Sequence, residues 1–200
     1  MTIISGSILL LWVLVVSSLG ARAAEGTAMD DKVTKIAEAA KVEYGWTLDE
    51  MRIDEVERLR QQSCTFYTVG NTVRPLSYQA NYALVGGKVV APGDGNVVAR
   101  ILDACSNGAG ADWWAEIVTR FHRNLGSGIV LRDETVRPDI VRKMAAAGEK
   151  FTRPAMDKAK HSLTFLLLNP ETYILYRVQA TRNPGGPVEV VKSKILPAAA

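Results

Sequence analysis

Histidine and cysteine are scarce in this chain, and their scarcity limits the chemistry that it can support. The 200 residues include two histidines, His122 and His161, and two cysteines, Cys64 and Cys105. A structural zinc site of the usual kind uses about four histidine or cysteine ligands. Such a site would require both cysteines, so we expect neither a metal ion nor a cofactor in this protein.

The short motifs of well-known active sites are absent as well. The sequence contains no HExxH zinc motif, no CxxC pair, no GxSxG nucleophile turn, no phosphate-binding P-loop and no GxGxxG dinucleotide motif. Its glycine-containing stretches at 107–111 and 126–129 fit turns and helix ends instead. Because no set of polar residues converges at catalytic spacing, the sequence favours binding over catalysis.

The long apolar run near the N-terminus is too short to span a membrane. It covers residues 8–16, whereas a membrane-spanning helix needs about 20 apolar residues. A pattern of small residues ending at Ala23 follows it, which is typical of signal-peptide cleavage. We therefore expect residues 1–23 to be a signal peptide and residues 24–200 a single globular domain, secreted or periplasmic and without a transmembrane span. An uncleaved anchor helix is the alternative, since no Lys or Arg precedes the run.

Export changes how the two cysteines are interpreted. In an oxidising compartment a pair of cysteines more often forms a disulfide than a metal site or a catalytic thiol. We predict a bond between Cys64 and Cys105, which would close a loop of about 42 residues and stabilise the fold by roughly 4 kcal/mol. Two buried free thiols are the alternative.

Hydrophobic periodicity and capping residues predict the secondary structure of the rest of the chain. Apolar residues recur at helical spacing in five segments, and Thr47 with Glu50 forms a capping box at the start of the second. The predicted helices cover residues 30–44, 48–62, 97–105, 112–125 and 138–147, and residues 154–160 fit one further turn. β-branched and aromatic residues predict strands at 65–69, 78–91 (a hairpin), 129–131, 161–168, 172–181 and 188–196.

The order of these elements predicts the fold class. Helices and strands do not alternate one for one, which argues against a parallel sheet built from βαβ units. The last three strands follow one another closely, and consecutive strands usually pair. We therefore expect an α+β domain with an antiparallel sheet, consisting of the hairpin near 78–91 and a C-terminal three-stranded meander, packed against four to five helices.

His122 has the strongest case for acid–base chemistry. It lies near the end of the most amphipathic predicted helix, and histidine can exchange protons near neutral pH. A carboxylate such as Asp112 or Asp133 would have to orient it, so a small secreted hydrolase is one hypothesis. The structural alternative is that His122 stabilises the helix C-terminus through the helix dipole. We expect His161 to be a surface residue.

A binding surface is predicted from two separate parts of the chain. Trp114 lies on the apolar stripe of its helix, and the adjacent Trp113 points about 100° away. We therefore expect Trp113 either at the rim of a groove, where an aromatic ring can hold a ligand, or packed against the loop that precedes its helix. In the C-terminal meander we expect Arg177, Lys192 and Lys194 to share one solvated sheet face.

Positive charge is concentrated in the C-terminal third of the chain. The net charge is +3, but residues 24–135 carry 12 basic and 16 acidic residues, whereas residues 136–200 carry 11 and 5. A basic segment can attract anionic polymers or membranes. Electrostatic docking through residues 137–194 is therefore a second alternative function, although a solvated sheet face also collects Lys and Arg.

The sequence as a whole favours a non-catalytic binding or accessory module of the bacterial envelope or exterior. Its partner would be an envelope protein or an anionic polymer, and we expect no specific nucleic-acid binding. The secreted hydrolase and the electrostatic binder are the two alternatives to this hypothesis.

Overall fold

The structure is a computed structural model that describes residues 30–73, 79–126, 128–135 and 137–196. The expected signal peptide lies outside these residues. From Asp31 onward the chain belongs to one structural unit. Its helices are α1 (Asp31–Tyr44), α2 (Gly95–Cys105), α3 (Ala111–Phe121) and α4 (Pro138–Ala146). Its strands are β1 (Met51–Glu55), β2 (Cys64–Asn71), β3 (Gln79–Val85), β4 (Lys88–Val90), β5 (Ile129–Val130), β6 (Ala155–Asp157), β7 (Ser162–Leu168), β8 (Leu175–Arg182) and β9 (Val188–Leu196).

The strands form two antiparallel sheets. The N-terminal sheet has the order β1-β2-β3-β4, and the C-terminal sheet has the order β5-β7-β8-β9, with β6 also pairing with β7. This arrangement confirms the predicted α+β class with antiparallel pairing. The predicted hairpin lies in the first sheet and the predicted meander in the second, so the two do not join one sheet.

The largest hydrophobic core lies between the two sheets and includes α2 and α3. Phe66 of β2 and Phe165 of β7 enter it from the two sheets, and Ile101 and Ile117 enter it from the helices; all four are fully buried. The α2–α3 pair therefore packs against one face of each sheet. On one side of this helix pair, its side chains meet those of the N-terminal sheet, and on the other side they meet those of the C-terminal sheet.

The outer helices cover the remaining sheet faces. Ile36 of α1 packs with Tyr82 of β3 on the outer face of the N-terminal sheet. Ile140 of α4 packs with Leu166 and Leu168 of β7 on the outer face of the C-terminal sheet. Because β7 is covered on both faces, its residues 165–168 form a continuous apolar run rather than an alternating pattern.

The prediction of a single helix at 48–62 is wrong. A single 3₁₀ turn covers Leu48–Glu50, strand β1 follows it, and a second 3₁₀ turn covers Glu57–Leu59. The predicted contact at the start is present, since the Glu50 carboxylate accepts the Thr47 backbone N–H at 2.9 Å. The chain then pairs with β2, and this long-range pairing overrides the helix propensity of a charged segment.

Three smaller boundaries also differ from prediction. The segment at 154–160 contains β6 instead of a helical turn, because β7 offers it a free edge. Helix α3 begins at Ala111, one residue before the predicted start, so Asp112 lies in its first turn. It ends at Phe121, so His122 is the residue that terminates the helix.

The predicted disulfide is confirmed. Cys64 and Cys105 are bonded, with their Cα atoms 5.8 Å apart, and both are buried. Beside the bond, the Ser63 hydroxyl donates to the carbonyl of Ala104 at 3.0 Å. The bond attaches the start of β2 to the end of α2, and so holds the N-terminal sheet to the central helices.

The start of α2 is fixed against the C-terminal sheet. The Asp94 carboxylate caps the helix by accepting the backbone N–H of Asn96 at 2.9 Å. The next residue is Gly95, and a Cβ atom at this position would overlap the backbone of Val188 in β9. Only glycine permits this approach, which places the start of α2 directly against β9.

Candidate functional site

An apolar cavity of about 460 Å³ lies between the central helices and the C-terminal sheet. Both helices and the four strands β6, β7, β8 and β9 contribute to its walls. Its apolar lining residues include Leu102, Trp114, Val118, Leu163, Ala180 and Val188. The small side chain of Ala180 leaves space in a region that otherwise carries large residues. We refer to this space as the apolar cavity.

Three basic side chains border the apolar cavity, and we call them the basic rim. They are Lys158, His161 and Arg182. The Arg182 side chain is 19% exposed, and its Nη2 donates to the Asp103 carboxylate at 2.5 Å. Its Nε is buried and has no hydrogen-bond partner among the described residues. The rim therefore offers positive charge and an unsatisfied donor beside an apolar space.

The tight turn between β6 and β7 places two of the rim residues. His161 adopts a left-handed backbone conformation with φ of +46°. Its backbone carbonyl accepts a hydrogen bond from the backbone N–H of Arg182 at 3.0 Å. Histidine tolerates this conformation better than a β-branched residue does. His161 is exposed, as predicted, but it also borders the cavity.

A second cavity, of about 420 Å³, lies on another side of α3. It contains a cluster that we call the arginine cleft: Arg58, Glu116, Thr119, Arg120 and Arg132. Glu116 is only 7% exposed. Its Oε2 accepts from Nε of Arg120 at 3.0 Å and from Nη2 of Arg58 at 3.4 Å, and its Oε1 accepts from Arg132.

The three arginines keep Glu116 ionised. Burial alone would raise the pKa of this carboxyl group, but Arg120, Arg132 and Arg58 outweigh that effect and lower the pKa from its ordinary value of 4.5. A carboxyl group that stays ionised cannot act as a general acid near neutral pH. Glu116 is therefore an organising residue of the cleft.

Arg120 also connects α3 to the N-terminal sheet. Its Nη1 donates to the side-chain oxygen of Asn81 at 2.8 Å and to the Thr68 hydroxyl at 3.3 Å. The spacing of Glu116 and Arg120 on one helix face is visible in the sequence. Arg58 and Arg132 come from distant segments, and no local pattern assigns them to this cluster.

The structure does not bring the predicted catalytic residues together. Asp112 and His122 lie at opposite ends of α3, about 15 Å apart along the helix axis. Asp133 borders the arginine cleft, whereas His122 lines neither this cleft nor the apolar cavity. Burial lowers the pKa of His122, and the nearby charge of Asp94 opposes the shift. His122 Nδ1 accepts the backbone N–H of Asn124 at 3.4 Å, a contact that belongs to the helix end.

Of the two predicted positions of Trp113, the groove rim is wrong. Trp113 is 8% exposed, and its indole N–H donates to the carbonyl of Leu59 at 3.0 Å. Its ring meets Phe66 edge to face. The neighbouring Trp114 is the tryptophan that lines the apolar cavity. Because α3 lies between two sheets, the two adjacent tryptophans are both covered, in different directions.

The predicted shared face of Arg177, Lys192 and Lys194 is also wrong. Directly opposed residues of paired strands lie on the same face. Lys192 is opposite Val178 and Lys194 is opposite Tyr176, so both lysines lie on the face away from Arg177. Arg177 Nη2 donates to Glu149 at 3.1 Å, while Lys192 Nζ lies 5.2 Å from the centre of the Tyr176 ring.

Local acidic partners neutralise part of the basic C-terminal segment. The pairs that involve its arginines are Arg137 with Asp139 at 2.7 Å, Arg177 with Glu149 at 3.1 Å and Arg182 with Asp103 at 2.5 Å. Such pairs reduce the charge available to an anionic polymer or membrane. Docking through residues 137–194 stays a prediction.

Among the described residues, no group of three or more histidine, cysteine, aspartate and glutamate side chains could hold a metal ion. None of the described helices is long and apolar enough to cross a bilayer. Comparisons with protein-family models, curated proteins and solved structures gave no match to this chain. Its function must therefore be inferred from the two cavities.

Proposed function

We propose that the protein is a non-catalytic binding protein for an amphipathic small molecule with an anionic head group. The apolar body of the ligand would fill the apolar cavity, and its head group would contact Lys158, His161 and Arg182. The observation that carries this proposal is an apolar cavity bordered by basic side chains. A volume of about 460 Å³ is within the usual range for small-molecule sites.

The two parts of the site would contribute in different ways. Each methylene group moved from water into the cavity contributes about 0.8 kcal/mol, so the apolar body supplies most of the affinity. The rim supplies selectivity, because the Lys158 ammonium group favours an anion. Arg182 is already paired with Asp103 through Nη2, but its buried Nε still needs an acceptor. A fatty-acid-like carboxylate has both properties.

A series of alkyl carboxylates tests the proposal. Octanoate, decanoate and dodecanoate are titrated calorimetrically below their micelle concentrations, with dodecanol as the uncharged match. Each step of two methylenes should strengthen binding about ten-fold, and dodecanoate should bind more tightly than dodecanol. Affinity that does not depend on chain length, or equal binding of the acid and the alcohol, would contradict the proposal.

Matched variants place the ligand in the structure. Ala180→Leu takes up part of the apolar cavity and should weaken dodecanoate binding while the protein stays folded. Lys158→Gln should weaken binding of the carboxylate but not of the alcohol. Lys160→Gln is the control, since Lys160 lies in the same turn, pairs with Asp157 and does not line the cavity. Equal effects of the two lysine variants would remove the rim from the model of binding.

We also propose that the protein works outside the cytoplasm, in the bacterial envelope or exterior, after cleavage near Ala23. The support is the bond between Cys64 and Cys105, because disulfides persist in oxidising compartments. The intact mass of protein from the native host, measured without reductant, should correspond to an oxidised chain that lacks residues 1–23. A reduced, full-length chain would contradict export.

A further inference from the structure

The arginine cleft carries more positive charge than its own carboxylates neutralise. Arg58, Arg120 and Arg132 all contact Glu116. Asp133 is the other acidic residue that borders the cleft, and its carboxylate accepts the backbone N–H and the hydroxyl of Thr135. Three guanidinium groups therefore face two carboxylates, and the cleft retains a surplus of positive charge.

Some guanidinium N–H donors of Arg58 and Arg132 have no hydrogen-bond acceptor among the described residues. A guanidinium group has five N–H donors in a rigid plane. Within the described part of the chain, Arg58 and Arg132 donate side-chain hydrogen bonds to Glu116 alone. The Arg58 side chain is 50% exposed and the Arg132 side chain 35% exposed, so both can reach a group that enters from solvent.

Thr119 provides an independent observation. It is only 3% exposed, it lines the same cavity, and its hydroxyl has no hydrogen-bond partner among the described residues. A threonine in a helix can donate its hydroxyl to the carbonyl of the preceding turn. A buried hydroxyl that lacks this bond, beside open guanidinium donors, points to a polar ligand in the cleft.

We propose that the arginine cleft binds a compact oxyanion between Arg58 and Arg132, with the Thr119 hydroxyl as a further donor. The planar fork of arginine matches pairs of oxygens on one atom, which carboxylate, phosphate and sulfate groups share. This site is separate from the apolar cavity, because Glu116 and Thr119 line the cleft whereas Trp114 and Val118 line the cavity. The proposal of an oxyanion site can therefore be tested independently of the proposal of an amphipathic ligand.

Anion titrations of the full chain test the proposal. Inorganic phosphate, sulfate and acetate are each added at constant ionic strength, with chloride as the reference, and binding is followed by calorimetry and by the melting temperature. At least one oxyanion should bind saturably and raise the melting temperature more than chloride does, and the tightest of the three identifies the class of ligand. Stabilisation no greater than that from chloride would overturn the proposal.

Arginine variants locate the oxyanion. The double variant Arg58→Gln/Arg132→Gln should weaken oxyanion binding about ten-fold or more, because two charge-assisted contacts are lost. Arg60→Gln is the control, since Arg60 lies two residues from Arg58, pairs with Glu55 and does not line the cleft. Unchanged binding in the folded double variant would overturn the proposal.

Thr119→Val separates a ligand-binding hydroxyl from a structural one. Valine has nearly the same shape, so the variant should be at least as stable as the wild type if the hydroxyl makes no bond within the protein. Its oxyanion binding should be several-fold weaker. A lower melting temperature with unchanged binding would assign the hydroxyl a structural role and remove it from the site.

Discussion

The apolar cavity and the arginine cleft lie on different sides of one helix, α3, and they differ in how they could hold a ligand. The cavity is lined by Trp114, Val118 and side chains of the C-terminal sheet. Burial of apolar area is non-directional and tolerates different ligand shapes. The cleft is organised by Glu116 and three arginines, where charge and donor geometry select the ligand. The comparison shows how a helix between two sheets can present two unrelated chemistries.

The change expected to affect both regions most is removal of the disulfide. Replacing Cys64 and Cys105 with alanine should lower the free energy of unfolding by about 4 kcal/mol, because the denatured chain loses a closed loop of about 42 residues. The bond holds the N-terminal sheet to α2, so the cavity and the cleft should weaken together. Urea unfolding of the oxidised protein and of the double variant measures the effect. A loss under about 1 kcal/mol would contradict this account.

Glu116→Gln should affect the cleft alone. It removes the carboxylate on which three arginines converge, and breaking a buried pair of this kind costs about 3 kcal/mol or more. We expect the lower end of that range, because Arg58 and Arg132 remain accessible to water. Urea unfolding measures the loss, and Glu189→Gln on the exposed part of β9 is the control. Dodecanoate binding should be unchanged in Glu116→Gln.

The pH dependence of stability provides a second test of the cleft. Because the pKa of Glu116 is lower in the folded protein than its ordinary value of 4.5, its stabilising contribution is complete above pH 4.5. The contribution disappears as the pH falls through the lowered pKa. The difference in unfolding free energy between wild type and Glu116→Gln should therefore shrink in acid. A difference that stays constant from neutral pH to pH 3 would contradict the ion-pair account.

The smallest expected effect concerns the cavity. Ala180→Leu should change the free energy of unfolding by less than about 1 kcal/mol, because the larger side chain enters existing space. Ala83→Leu is the matched comparison, since Ala83 belongs to the same core but lines neither cavity. It should lose about 1–3 kcal/mol through overpacking. Equal losses in the two variants, measured by urea unfolding, would show that the space beside Ala180 is not available.

Local sequence signals predicted a large part of the fold. The hairpin near 78–91, the meander, the helix opened by Pro138 and the disulfide all depend on residues whose preferences agree with their surroundings. The prediction of a helix at 48–62 is wrong because the helical pattern and capping box of this segment compete with strand pairing to β2. That pairing joins residues far apart in sequence, so no local signal reports it.

The candidate site was much less predictable. The sequence pattern places Trp114 in the core and Trp113 at a rim or against a loop if α3 has one buried face, whereas α3 lies between two sheets. The sequence places Glu116 and Arg120 together, but Arg58 joins them across 58 residues and only through the fold. The register of β8 with β9 separates Arg177 from Lys192, and this register depends on the connecting turn as well as on the hydrophobic pattern of the two strands.

An amide NMR titration tests the central claim most directly. Dodecanoate is added to the labelled full chain, and inorganic phosphate is added to a second sample. The account predicts two separate sets of shifted amides, one around Trp114, Ala180 and Val188 and the other around Thr119 and Arg132. A single common set, or small shifts spread over the surface for both ligands, would contradict the assignment of two different sites to the two sides of α3.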